Sequence, residues 1–157
     1  MQGGSRLRIV GYRIEYAQAF ADLNYEWIEK YYSVESHDRE ILDDPEAFII
    51  NKGGQIFIAL EDGEPVGAVA LIRAGDRVFE LAKMAVSPKA QGKGIGALLI
   101  SACVDYSTAQ GMNEIILESN TRQEAALHLY RKAGFEEIEL DPNSPYTRAN
   151  IRMRLAL

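Results

Sequence analysis

With one cysteine in 157 residues, the chain has no internal disulfide to hold it. Cys103 falls on the apolar face of a helical pattern, where a thiol serves as a small hydrophobe. No apolar run approaches the roughly twenty residues that a membrane-crossing helix needs. Positive charge is also scarce: 17 Lys and Arg against 23 Asp and Glu leave a net charge of −6, whereas nucleic-acid readers usually present a basic face. The two histidines, His37 and His128, form no constellation, and Glu35, His37, Asp38 and Glu40 lack zinc-ligand spacing, so no metal is expected. The opening Met1 to Arg6 carries no apolar leader, which points to the cytosol.

What is present is a soluble globular composition, 47% hydrophobic and 25% charged. The length suits a single domain over residues 1–157, with one sizeable core and no repeat or linker. The acidic balance mildly favours a cationic partner such as an amine.

Strands and helices alternate along the chain. Residues 8–12 read as a strand, and Phe20, Leu23, Trp27, Ile28 and Tyr31 place a helix over about 15–32. A second helical stretch over 37–50 should break at Pro45. Residues 55–60 and 66–72 flank the turn at Asp62-Gly63 and form a hairpin, whose second arm is apolar at both parities and so belongs inside the sheet. Strands follow over 78–86, 114–119 and 135–140, and Ile151, Met153, Leu155 and Leu157 alternate through a last one. Between them lie a helix through Ile95, Leu99, Cys103 and Tyr106, stopped at Gly111, and one through Ala126, Leu129, Tyr130 and Ala133. Thr121 and Glu124 have capping-box spacing for the latter, which closes at Gly134. The sum is an α/β fold, a mixed central sheet of about seven strands with helices on both faces.

The most informative segment is Val86-Ser-Pro-Lys-Ala-Gln-Gly-Lys-Gly-Ile-Gly96, between a strand and a helix. A glycine loop there turns unpaired N–H groups and the positive end of the helix dipole toward an anion, and Lys93 adds a cation. A tight connection needing glycine for its turn is the plainer reading. A P-loop is excluded because Gly94, not Ser or Thr, follows Gly92-Lys93. A dinucleotide fingerprint fits the spacing of Gly92, Gly94 and Ala97 with Glu118 some way on, but five residues separate strand from glycine and too little chain follows for a second half.

Gln91-Gly92-Lys93-Gly94-Ile95-Gly96 resembles the pyrophosphate loop of the GNAT superfamily of N-acyltransferases, written Gln/Arg-x-x-Gly-x-Gly/Ala. Val86-Ser-Pro88, Leu117-Glu-Ser-Asn120 and Ala126-Leu-His-Leu-Tyr130-Arg-Lys-Ala-Gly134-Phe135 match in the right order, so the likeness covers residues 78–140, with the segment before 55 matching more loosely. The resemblance implies the GNAT fold, acetyl-CoA as co-substrate without a metal, and direct acetyl transfer to a primary amine of a small molecule, peptide or protein. The alternative is a non-catalytic acyl-CoA-binding sensor or scaffold. Homodimers are common in the family.

Such a transfer needs a base for the amine, a donor for the carbonyl oxygen and help for the departing thiolate, with geometry supplying much of the rate. Glu80, on the strand before the loop, is read as sharing its face with Val78, Ala82, Met84 and Val86; there it is either a base of raised pKa or the partner of a cation on a neighbouring strand. The resemblance favours the base, because a glutamate six residues before the Val-x-Pro valine has that role in the histone-acetyltransferase branch. It also implies that the Val86 or Ala85 amide polarises the carbonyl, that Met84, Ala85 and Val86 pair with pantetheine, and that residues 91–96 (Gln91, Gly92, Lys93, Gly94, Ile95, Gly96) hold the diphosphate. Asn120 would touch pantetheine or diphosphate, and Tyr130 would hydrogen-bond sulfur, its phenol being too weak an acid for full transfer. Tyr31, Tyr32, Glu35, Asp38 and Tyr146 are the candidates for the acceptor groove, the two acids facing a cationic substrate.

Overall fold

The computed structural model describes residues 6–157; Met1–Ser5, on which the expectation about a leader falls, lie outside the described residues. Seven strands, β1 (Leu7–Gly11), β2 (Gln55–Glu61), β3 (Glu64–Gly75), β4 (Val78–Val86), β5 (Glu114–Ser119), β6 (Glu136–Ile138) and β7 (Ile151–Ala156), form one sheet in the order β1-β2-β3-β4-β5-β7-β6. Among the described residues, only β4 and β5 are parallel neighbours. As its two-sided apolarity requires, β3 is buried from Val66 to Leu71.

On one face lie α4 (Ile95–Ala109) and α5 (Glu124–Ala133), whose Ile95, Leu99, Cys103 and Leu127 pack on Leu71, Phe79, Leu81, Ile115 and Leu117. Burial pushes the Cys103 thiol up, so it stays neutral and inert. The other face carries α1 (Ala17–Tyr31), α2 (Ser36–Asp43) and α3 (Pro45–Phe48), with Phe20, Ile28, Ile41 and Leu42 on Ile56, Ile58, Ala68 and Ala70. Pro45 does divide the second helical stretch: it sits in the first turn of α3, capped by the Asp44 side chain accepting the Ala47 N–H at 3.2 Å.

Three local expectations are corrected. The Thr121 capping box does not form; α5 starts at Glu124 without a side-chain cap, and Asn120 instead accepts the Arg122 N–H at 2.9 Å, turning the chain before the helix. The strand expected over 135–140 pairs only from Glu136 to Ile138, because the chain then crosses back as an irregular strap. The third correction concerns β4.

Ala82 pairs with Ala70, but Ala85 pairs with Ala68, so β4 carries one residue more than β3 over this stretch. The extra residue is taken up at Lys83, whose φ of 55° is left-handed. The bulge reverses the parity. Glu80, opposite Ile72, faces the side of α1 and α2, while Met84 and Val86 pack into the core under α4. Glu80 therefore does not share its face with Met84 and Val86, a result that alternation in the sequence could not show.

Candidate active site

The β4–β5 ladder stops at Glu80 opposite Ile116, and β4 runs on to Val86 bonded to β3 alone. The two strands part, and a cleft of about 890 Å³ opens between them, lined by β4, β5, the glycine loop, α5 and the end of α1. The Ser87 amide donates to the Val66 carbonyl at 2.8 Å. Since amides alternate along an extended strand, that of Val86 points to the side β5 has vacated. Among the sequence candidates, Val86 rather than Ala85 thus offers the open N–H.

At the far end of β4 the chain makes one short turn, Pro88–Ala90, and enters the loop. Gly92 (φ 81°) and Gly94 (φ 77°) are left-handed, and this is where glycine is required by the backbone. Gly96 has a different reason: a Cβ there would come within 2.9 Å of Leu129 Cδ1, so its absence lets α4 approach α5. Among the described residues, the amides of Gly92 through Ala97 donate to no internal acceptor, and the first return bond is Leu98 to Gly94. Six N–H groups are left without an internal acceptor at a helix start, an arrangement suited to an anion.

Neighbouring polar groups are more committed than the sequence suggested. Lys93 holds Glu61 at 2.8 Å, and Gln91 donates weakly to the Val86 carbonyl at 3.4 Å. Asn120 uses its Nδ2 on the Arg148 carbonyl at 2.7 Å and its Oδ1 on Arg122, fastening β5 to the strap before β7.

Glu80 lines the cleft from the face of the sheet that carries α1 and α2. Burial, then the nearby Glu118 charge, push its carboxyl up to about 7, against the opposing pull of Lys83 and Arg152. Tyr130 lines the cleft from α5, its ring edge-on to Phe135 at 5.8 Å. Burial raises its pKa, so it remains a phenol able to donate.

Glu35 and Asp38 do not present free carboxylates. Asp38, fully buried, takes Lys83 Nζ at 2.5 Å and Arg148 at 2.6 Å, while Arg148 also holds Glu35 at 2.9 Å. Burial alone would raise the Asp38 pKa, but the hydrogen bonds from Arg148 and Lys83 outweigh it and hold the carboxyl well below the usual range. Tyr146 joins this network, accepting from Lys83 at 2.8 Å with Arg148 stacked 4.6 Å from its ring centre. Tyr31 stands at the mouth of the cleft, beside Trp27. Sequence reasoning missed Lys83 and Arg148 in this role and did not place Glu118 at this site; no local pattern marks the first two, whose partners lie 45 and 110 residues away.

Among the described residues, no group of three or more His, Cys, Asp or Glu is placed to hold a metal, and no helix is long and apolar enough to cross a membrane. Residues 21–135 match the model of the acetyltransferase (GNAT) family. The chain belongs to that family. A relative, N-acetyltransferase family 8 member 3 of Rattus norvegicus, is 27% identical over 118 residues, 72% of this chain and 51% of that protein. The chain thus spans about half the length of that relative. An acetyltransferase from Streptococcus agalactiae 2603 superposes with a TM-score of 0.81 at 27% identity, over 96% of this chain and 98% of that one. A GNAT phosphinothricin acetyltransferase from Sinorhizobium meliloti, solved in complex with acetyl-CoA, gives 0.77 at 20% identity over 98% and 88%. The seven-stranded mixed sheet with helices on both faces is therefore a GNAT fold.

Proposed function

We propose that the protein moves an acetyl group from acetyl-CoA directly to a primary amine of a small molecule, peptide or protein. The observation that carries this reading is the set of unclaimed amides from Gly92 to Ala97, placed at the end of a strand that has lost its parallel neighbour. The amides suit a diphosphate, and the split suits an extended arm running from it toward Val86. Acetyl-CoA, when bound, supplies the activated acyl group; the phosphinothricin acetyltransferase with acetyl-CoA bound has the same fold.

The residues divide the work. Glu80 takes the amine proton, and a carboxyl near 7 is matched to that task at neutral pH. The Val86 N–H meets the carbonyl oxygen as negative charge develops there. Tyr130 donates a hydrogen bond to the departing sulfur. The Asp38–Lys83–Arg148 network fixes Tyr146 and the bulged strand, and so the shape of the acceptor side.

Purified protein with acetyl-CoA and a panel of primary amines tests the reading by release of free CoA thiol. Release that is lost in Glu80→Gln or Tyr130→Phe supports it. Thermal stabilisation by acetyl-CoA without release from any amine would show a binding domain instead.

A further inference from the structure

Glu118 has no part in the chemistry so far, yet its position is unusual. Glu80 is in register with Ile116, so Glu118, two residues further along β5, lies on the same face of the sheet, just past the point where the strands part. Both carboxylates line the acceptor side of the cleft. Glu118 Oε2 is buried without a hydrogen-bond partner. A sheet-stabilising role would require an ion pair with Arg152, its cross-strand neighbour on β7, and among the described residues none forms. Burying an unpaired carboxylate oxygen is costly, and such a cost is retained where a ligand relieves it.

We infer that Glu118 is the acceptor-recognition residue: with Glu80 it brackets an incoming ammonium, so the enzyme selects strongly basic aliphatic amines, which arrive protonated, over weakly basic aromatic amines, which arrive neutral. The inference rests on the acetyl-transfer reading. The proton balance is complete. The ammonium gives one proton to Glu80, the freed amine attacks the thioester carbon, and the C–S bond breaks. The second amine proton goes to the departing thiolate, giving amide and CoA thiol, and Glu80 returns its proton to solvent. Glu118 exchanges no proton in these steps; its proximity raises the Glu80 carboxyl, which makes Glu80 the better proton acceptor. Trp27, Tyr31 and Tyr146 supply the apolar wall for the carbon skeleton.

The groups facing Glu80 are Glu118 from β5, Lys83 from β4, Arg152 from β7, Asp141 from the strap and Tyr146. A carbon-13 titration of the glutamate carboxyls, with the Glu80 signal assigned by its loss in Glu80→Gln, isolates the first of these without any turnover. In Glu118→Gln the Glu80 midpoint is expected to fall by about one pH unit, and in Arg152→Gln to rise. With benzylamine and aniline as probes, Glu118→Gln is expected to raise the benzylamine KM about tenfold or more and to cut the kcat/KM preference for benzylamine by a similar factor, leaving the acetyl-CoA KM unchanged. An unmoved Glu80 midpoint, or an unmoved amine KM and preference, overturns the inference. If no amine is acetylated by the wild type, the acetyl-transfer reading fails, while the titration still decides whether Glu118 governs Glu80.

Discussion

Arg148 holds Asp38 through two contacts, at 2.6 and 3.0 Å, although 110 residues of chain separate them. Lys83 reaches the same carboxylate from the bulge in β4. One fully buried aspartate thus ties α2, the sheet and the strap before β7 together. Asp38→Ala would leave the buried Lys83 cation without its carboxylate and Arg148 with Glu35 alone, at a cost of about 3–5 kcal/mol in urea unfolding at pH 7. Because Asp38 binds its proton more weakly folded than unfolded, its contribution is present above its ordinary range, near 3.8, and is lost as pH falls below it. The gap between wild type and variant should therefore narrow on acidification.

Glu80 has the opposite sign. Its carboxyl is raised from 4.5 to about 7, so the native state binds a proton that the unfolded state releases. Stability from this group is full below 4.5 and disappears as pH rises through 7. Glu80→Gln should therefore match the wild type in acid and exceed it above neutrality, by on the order of 1–3 kcal/mol. The same variant should lose about 10²–10⁴ in kcat/KM, and the wild-type rate should climb through an inflection near 7.

Tyr130→Phe removes only a hydroxyl from a ring that stays packed on Phe135. A loss of about tenfold or more in kcat, with the acetyl-CoA KM nearly unchanged, is expected if the phenol acts on the departing sulfur. Equal losses in kcat/KM for acetyl-CoA and in its affinity would instead mark a packing role.

The glycines of the loop should separate by mechanism. Gly94→Val forces a branched side chain into φ 77° and should raise the acetyl-CoA KM with modest effect on the amine KM. Gly96→Val meets Leu129 and should instead cost about 1–3 kcal/mol of stability, partly recovered by Leu129→Ala.

The sequence revealed what short-range pattern encodes. The hairpin around Asp62-Gly63, the doubly apolar β3, the strand–glycine loop–helix unit and the stop at Gly134 all follow from periodicity and turn chemistry within a few residues. The bulge at Lys83 does not, because a lysine gives no signal of left-handed backbone, and with it went the facing of Met84 and Val86. Glu35 and Asp38 looked like free acids because Arg148 and Lys83 reach them only once the chain is folded. In sequence Glu118 stands out only at the spacing of a dinucleotide fingerprint's acid; its place beside Glu80 depends on the parallel register of β4 and β5.

Titration of coenzyme A into nitrogen-15-labelled protein, followed amide by amide, is the most direct test of where the cofactor sits. The largest shifts, with slowed hydrogen exchange, should fall on Gly92 through Ala97 and extend to Val86, whose amides are open in the free protein. Perturbations that leave these amides unmoved, or that cluster elsewhere on the molecule, would contradict the diphosphate assignment and the catalytic geometry built on it.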